Sequence, residues 1–374
     1  MKLLMRLDSL AAPRAGIGYY TEHLARGLIA MPQVDLTGVF HGHRVAGAEL
    51  AQLLDDPGEP ATVGHAWRQR LTPVLRALPG AYALRQMISD RRSARCARDF
   101  SLYHEPSFIP FPFQGTTVLT VHDLSHLRHP QYHPPERVRF LQRYLPEALR
   151  RAAAVIVDSQ FTADECADYF PWVQDRVFPV HLGVEETIGV LPEEQVRGVL
   201  AGYGLPFKSY ILSVATLEPR KNIAGLVRAY RALPPAVQRE LPLVLVGGAG
   251  WRNAELEALL AEQADAGRII LTGRVPRTHL SGLLNGARLF AYPSFYEGFG
   301  LPIAEARACG TPVLTTHYGA MAEVAGDDAF LVAPENLTEG LAQALTSMPQ
   351  TLAPYRYNWR QTAQKTLQVY QTVS

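Results

Sequence analysis

Short β-rich runs separated by amphipathic stretches constrain this chain more than any other feature. LLMRLD (3–8), VDLTGVF (34–40), TTVLTVHD (116–123) and AAVIVDS (153–159) recur in the first half. After residue 185 the pattern restarts with SYILSVA (209–215), LPLVLVGG (241–248), RIILTG (268–273), ARLFAYPS (287–294) and TPVLTT (311–316). Such alternation signals βα units around a parallel sheet, and nearly all-apolar runs suit strands covered on both faces. The turn-rich, acidic stretch near 184–196 reads as a linker, so an α/β protein of two Rossmann-like domains is predicted, 1–185 and 195–350. In YRYNWRQTAQKTLQVYQ, residues Trp359, Ala363, Leu367 and Tyr370 fall at helical intervals. A helix over 355–374 that returns to pack on the first domain is expected. In open parallel sheets ligands bind outside the carboxyl ends of the strands, which directs attention to the residues that follow each run.

A net charge of +1 argues against bulk nucleic-acid binding and requires any charged partner to be met by a local patch. Cys96, Cys166 and Cys309 are odd in number and far apart, which suits a reducing compartment and no disulfide framework. The N-terminus MKLLMRLDSL has too short an apolar run and too early an aspartate for a signal peptide. No later segment approaches the ~20 apolar residues that span a bilayer. A cytoplasmic protein, at most peripheral on the inner face of the membrane, is the expectation.

Four clusters follow predicted strand ends. Gly16 and Gly18 precede a helical pattern that begins near Thr21, where small residues let backbone N–H groups approach a phosphate; an ordinary turn is the alternative. His122 ends a strong strand and is placed to reach a cleft. With His126, His129 and His133 it forms a run that invites a metal reading, but Pro130, Pro134 and Pro135 interrupt any single helix that could align the rings. Arg220 and Lys221, after SVA, join a guanidinium fork and a mobile ammonium at a predicted helix start and suit a diphosphate. Last, SFYEGFGLPIAEARACG (294–310) sets Glu297 and Glu305 on either side of a glycine turn. Helix capping accounts for Glu305 alone; carboxylates beside a polyphosphate are better used as hydroxyl acceptors, one for a ribose and one for a hexose.

These motifs carry a likeness. Glu297-x7-Glu305 within PSFYEGFGLPIAEARACGTPVL, TLEPRKN (216–222), GIGYYTEHL (16–24), TVHDLS (120–125) and the late NWRQTAQKTLQVY resemble, in order, the retaining family 4 glycosyltransferases of GT-B fold. The resemblance implies transfer of a hexose from a nucleotide diphosphate donor with retained configuration, no cofactor and no catalytic metal. It further implies that Glu297 holds the donor hexose, Glu305 the ribose, Arg220 and Lys221 the diphosphate, and that His122 sits beside the transferred sugar. Gly16 and Gly18 pass near the phosphates, backbone N–H groups of Phe299, Gly300 and Leu301 meet phosphate or sugar, and the base lies near Gly273 to Val275. Many members carry arginine where Ala215 stands here, which leaves Arg220 to supply most of the guanidinium contact. TLEPRKN and PSFYEGFGLP look most like bacterial O-antigen and polysaccharide transferases that use GDP-mannose or GDP-rhamnose, with a glycan or polyprenyl-diphosphate-linked acceptor.

From Trp67 to Arg98 eight arginines accompany one aspartate. An anionic membrane surface or lipid-diphosphate acceptor and a merely solvated helical face both fit this segment. Rival functions are a nucleotide-sugar epimerase or hydrolase, a nicotinamide dehydrogenase, which lacks its GxGxxG here, and a catalytically silent sugar-nucleotide-binding subunit.

Overall fold

The computed structural model describes residues 1–11, 16–55, 90–248, 250, 254–261, 268–347, 352–353, 355 and 357–374. Among these, β1 (Lys2–Arg6), β2 (Asp35–Phe40), β3 (His43–Val45), β4 (Leu102–Glu105), β5 (Thr116–Val121), β6 (Ala154–Val157) and β7 (Val177–Pro179) form one sheet. Its order is β3-β2-β1-β4-β5-β6-β7, parallel except for the β2–β3 hairpin. The second sheet holds β8 (Ile211–Val214), β9 (Leu243–Val246), β10 (Ile269–Gly273), β11 (Leu289–Tyr292), β12 (Val313–Thr316) and β13 (Phe330–Val332). Its order is β10-β9-β8-β11-β12-β13, parallel throughout. Strand order reverses at β1/β4 in the first sheet and at β8/β11 in the second, so each domain has a switch point where connections diverge and leave a crevice.

The nine apolar runs all become strands. Four strands lie where the apolar pattern predicts none, and three of them, β3, β7 and β13, are three-residue edge strands with little sequence to carry a signal. The fourth, β4 (LYHE), is central and fully buried despite two polar residues. Partners from elsewhere explain this. His104 bonds Tyr370 through Nδ1 (2.6 Å) and Thr120 through Nε2 (2.8 Å), while Tyr103 donates to Glu105 (2.6 Å) and Arg6 reaches the same carboxylate (3.5 Å). Burial drives His104 down to about 3, so it is held neutral.

The stretch 184–196 is not the open linker its composition suggests. Val184 forms a β-bridge with Asn358, Ile188 is buried, and the helix Glu193–Ala201 starts inside it. Beside the bridge, a Cβ on Gly183 would lie 2.0 Å from the Trp359 nitrogen, so the two chain crossings approach as only glycine permits. The last helix, Trp359–Val373, is capped by Asn358, whose side chain accepts from Gln361 N (2.9 Å). It packs on the helix Gly16–Ile29: Trp359 stacks on His23 at 4.8 Å between ring centroids, and a Cβ on Gly27 would press on Ala363. No helix among the described residues is long and apolar enough to cross a membrane.

Candidate active site

The candidate site residues follow β1 and β5 of the first sheet and β8, β10 and β11 of the second. After β1, the helix begins at Gly16 and not near Thr21, so Gly16 and Gly18 form its first turn, Gly16 exposed and Gly18 buried. Glycine disfavours a helix interior, and the 3.6-residue apolar pattern becomes visible only once Tyr20, Thr21 and Leu24 face the core.

After β5, His122 is almost wholly engaged within its own domain. Its Nε2–H donates to the Pro106 carbonyl (2.9 Å) and its Nδ1–H to Asp158 Oδ2 (2.8 Å). Burial disfavours the charged ring, but Asp158 and the Pro106 carbonyl outweigh it and raise the pKa above that of an ordinary histidine. What His122 turns to the opposite domain is its backbone carbonyl, against which Gly298 packs so tightly that a Cβ there would lie 1.7 Å from the oxygen. The next residue, Asp123, accepts from Ser125 N (2.9 Å) and Oγ (2.6 Å).

After β8, Pro219–Lys221 is a 3₁₀ turn, and the helix starts only at Ile223, behind Asn222 in left-handed conformation (φ 53°). Arg220 and Lys221 therefore stand ahead of the helix, aimed back across the sheet edge. Both reach Glu297, from the loop after β11: Lys221 Nζ lies 2.6 Å from Oε1 and Arg220 Nη1 3.0 Å from Oε2. Arg220 also donates to the Tyr296 carbonyl (2.7 Å) and pairs with Glu218 (3.0 Å), and Tyr292 donates to Glu297 (3.1 Å) and accepts from Lys221 (2.9 Å). Burial opposes ionisation of Glu297, but Arg220 and Lys221 overcome it and hold the carboxyl below its ordinary range. Lys221 is pushed down by burial, an effect that Glu297 limits. The carboxylate and the cations expected to serve different parts of a donor are thus bound to one another.

From Gly298 the chain turns through Gly300 (φ 95°), the N-cap of the helix Leu301–Ala308. No side chain caps this helix; Pro302 has no N–H and Ile303 N donates to the Gly300 carbonyl (2.9 Å), so contact with an anionic or hydroxylic ligand would fall to the N–H groups of Phe299, Gly300 and Leu301. Glu305, fifth in the helix, is buried and paired with Arg277 Nη2 at 2.6 Å. Burial raises the Glu305 pKa, and Arg277 limits the rise. Arg277 also pairs with Glu185 (2.9 Å) and lies over the Tyr19 ring at 5.3 Å, which ties the Glu305 end of the cleft to the first-domain glycine helix. Gly273 (φ 68°) closes β10 and its carbonyl accepts from Gly247 N (2.9 Å); half-buried Val275 stands two residues before Arg277.

Sequence reasoning missed Arg277, Tyr292, Glu218 and Asp158. Arg277 opens the helix Arg277–Gly286 and the others sit in or beside ordinary-looking strands and turns; only Glu218, inside the quoted TLEPRKN, had a signal that could have drawn attention. The histidine run disperses: Pro130–Tyr132 is a 3₁₀ turn, and His133 bonds Ser125 Oγ (2.8 Å). Among the described residues no group of three or more His, Cys, Asp or Glu side chains is arranged to hold a metal. Residues 67–89 of the arginine-rich segment lie outside the described residues. In its remainder Arg91, Arg92, Arg95 and Arg98 are exposed, while Ser93 and Ala97 are buried beneath them.

Two α/β domains, each built on a largely parallel sheet and meeting through residues that follow strand ends, form the GT-B arrangement. Residues 14–187 match the family described as Glycosyltransferase Family 4, and residues 206–366 the one described as Glycosyl transferases group 1. The chain is 32% identical over 366 residues to the O-antigen chain mannosyltransferase B of Escherichia coli, covering 97% of this chain and 93% of that protein. It is 34% identical over 229 residues to the serotype-specific mannosyltransferase WbdA of E. coli, of whose length that match spans 28%. The fold is shared with Anabaena HepE in complex with UDP and glucose (TM-score 0.72, 17% identity, full coverage of both chains). It is also shared with WaaG, a glycosyltransferase involved in lipopolysaccharide biosynthesis (TM-score 0.63, 15% identity, 97% and 94% coverage). The chain belongs to this glycosyltransferase family and is a hexosyltransferase.

The His122–Asp158 pair makes a pH-dependent contribution with a definite sign. A histidine whose folded pKa is raised stabilises fully below its unfolded value, about 6.5, and loses that contribution as pH climbs through the folded value. The difference in melting temperature between wild type and Asp158→Asn should therefore be largest at pH 6 and narrow toward pH 9. A difference that widens with pH would show that His122 is held neutral.

Proposed function

We propose that the chain transfers a hexose, mannose or rhamnose, from a GDP-linked donor to a glycan or polyprenyl-diphosphate-linked acceptor in O-antigen or related cell-surface polysaccharide assembly, with retained configuration and without a catalytic metal. The observation that carries this reading is the pair Glu297 and Glu305, each buried against a cation at one end of an uncapped helix start. A sugar nucleotide has hydroxyls at both ends and anionic charge between them, and this order of acceptors and donors matches it. Glu297 takes the hexose hydroxyls and Glu305 those of the ribose. The diphosphate is met by Lys221, Arg220, the Phe299–Leu301 turn and the Gly16–Gly18 helix start.

When the C1–O bond to the diphosphate breaks, about one additional negative charge develops on the leaving oxygen, and preorganised cations act there mainly in the transition state. The acceptor oxygen bonds to C1 on the same face, and its proton passes to the departing phosphate oxygen. A protein nucleophile is then unnecessary. The choice of mannose and of polysaccharide assembly draws on the relatives named above. Acceptor binding by the first domain is supported by its exposed arginine row, which offers charge to lipid-borne phosphate.

In a thermal-shift comparison of GDP, UDP and ADP, the cognate nucleotide at ~100 times its Kd should add ~2.7 kcal/mol of stability. GDP should produce the shift; a shift with UDP alone would overturn the donor assignment. Co-sedimentation should favour vesicles containing anionic lipid over neutral ones, and equal partition would leave the arginine row as a solvated surface.

A further inference from the structure

Glu323 has no part in the chemistry described above, yet its carboxylate is one of the most heavily used in the molecule. It lies on the helix Ala320–Ala325 of the second domain. Its partners all come from outside that domain's sheet. Oε1 accepts from Gln160 N (2.9 Å) and from His181 Nε2 (2.5 Å), and Oε2 accepts from Phe161 N (3.1 Å). Gln160 and Phe161 open the ten-residue helix Gln160–Tyr169 that follows β6. An α-helix leaves its first N–H groups without intrahelical acceptors. Ser159 Oγ satisfies that of Thr162 (3.1 Å) from within the domain; those of Gln160 and Phe161 are satisfied from across the cleft.

The same helix and its cap make further inter-domain contacts. Ser159 Oγ donates to the Gly298 carbonyl (2.7 Å), Thr162 Oγ1 reaches the same oxygen (3.2 Å), and Glu165 accepts from the Tyr296 hydroxyl. Gly319, just before the Glu323 helix, has the Phe161 ring and the Glu297 carbonyl within 3.5 Å of where a Cβ would stand. His181 lies at the chain crossing: it stacks on Tyr357 at 4.5 Å, and its carbonyl accepts from Thr362 Oγ1 (2.8 Å). Glu323 thus joins the crossing to the first-domain helix, and Gly319, at the head of its own helix, lies beside the loop that bears Glu297.

We propose that Glu323 is a positioning residue that latches the two domains together, capping a first-domain helix from the second domain and so holding the Glu297 turn against the His122 carbonyl. A latch of this kind sets the fraction of molecules in the binding-competent arrangement. Loss of that fraction raises the apparent donor constant in proportion and leaves the chemistry of the occupied site unchanged. The inference rests on the glycosyltransferase reaction of the family and not on the nucleotide the donor carries.

Two variants test it on the full chain. Glu323→Ala removes all three bonds. Gln160→Pro removes one donor at the first helical position, where proline needs no intrahelical N–H and the extended Ser159 (φ −150°, ψ 161°) tolerates it. Both should give a larger radius of gyration by small-angle scattering, and Glu323→Ala a donor KM raised ~10-fold or more with kcat within about twofold. Gln160→Pro should shift KM in the same direction with melting unchanged. If Glu323→Ala does not fold, Gln160→Pro decides. Wild-type scattering in the variants that fold would overturn the latch, as would a fall in kcat with KM unchanged. Scattering needs no donor, so a wrong nucleotide assignment cannot be mistaken for a failed latch.

Discussion

A carboxylate wedged between an arginine and a lysine underlies the rest of this site. Glu297, Arg220 and Lys221 have side chains only 10%, 14% and 12% exposed. Removing one such ion from water costs several kcal/mol even after relaxation, so none of the three would be stable there alone. Mutual pairing makes the burial tolerable and fixes where the charges stand. Tyr292, Glu218 and the Tyr296 carbonyl supply further hydrogen bonds to the three. The consequence is a preorganised polar site that can exchange one partner for another, as an incoming sugar diphosphate would require, without first ordering flexible side chains.

Glycines translate this cluster into contact between the domains. At Gly298 the chain runs so near the His122 carbonyl that any side chain would force the two apart. At Gly300 a left-handed conformation turns the backbone into the Leu301–Ala308 helix and leaves its N-terminus open. Arg277, over Tyr19 and against Glu305 and Glu185, makes the corresponding connection farther along the cleft. Hexose, phosphate and ribose contacts would therefore draw on both sheets at once, which suits a reaction that must exclude water from the bond being broken.

Much of this was legible in the residues. Apolar runs marked nine strands, because fully covered parallel strands need little beyond Val, Ile and Leu. The two glutamates stood out because helix capping explains one of them and not the other. Less visible was everything fixed by distant partners. LYHE reads as unsuited to a buried central strand until Tyr370, Thr120 and Arg6 meet its polar atoms. Arg277 looks like any helix-start arginine until Glu305, 28 residues later, is brought to it. His122 was correctly placed at a strand end, but its ring is turned inward by Asp158, from the neighbouring strand's end, and by Pro106, which no local pattern announces. The stretch 184–196 has the composition of a linker, although the pairing of Val184 with Asn358 and the burial of Ile188 make it part of the core.

Lys221 and Glu297 touch directly, so substitutions at the two should not act independently. The most direct measurement is turnover at saturating donor for Lys221→Ala, Glu297→Ala and the double variant. If the buried pair works as a unit, each single change should cost roughly 10²-fold, and the double change little more than the worse single. Losses that multiply, to roughly 10⁴-fold in the double variant, would mean that the two side chains act separately and that their contact is not the basis of the site.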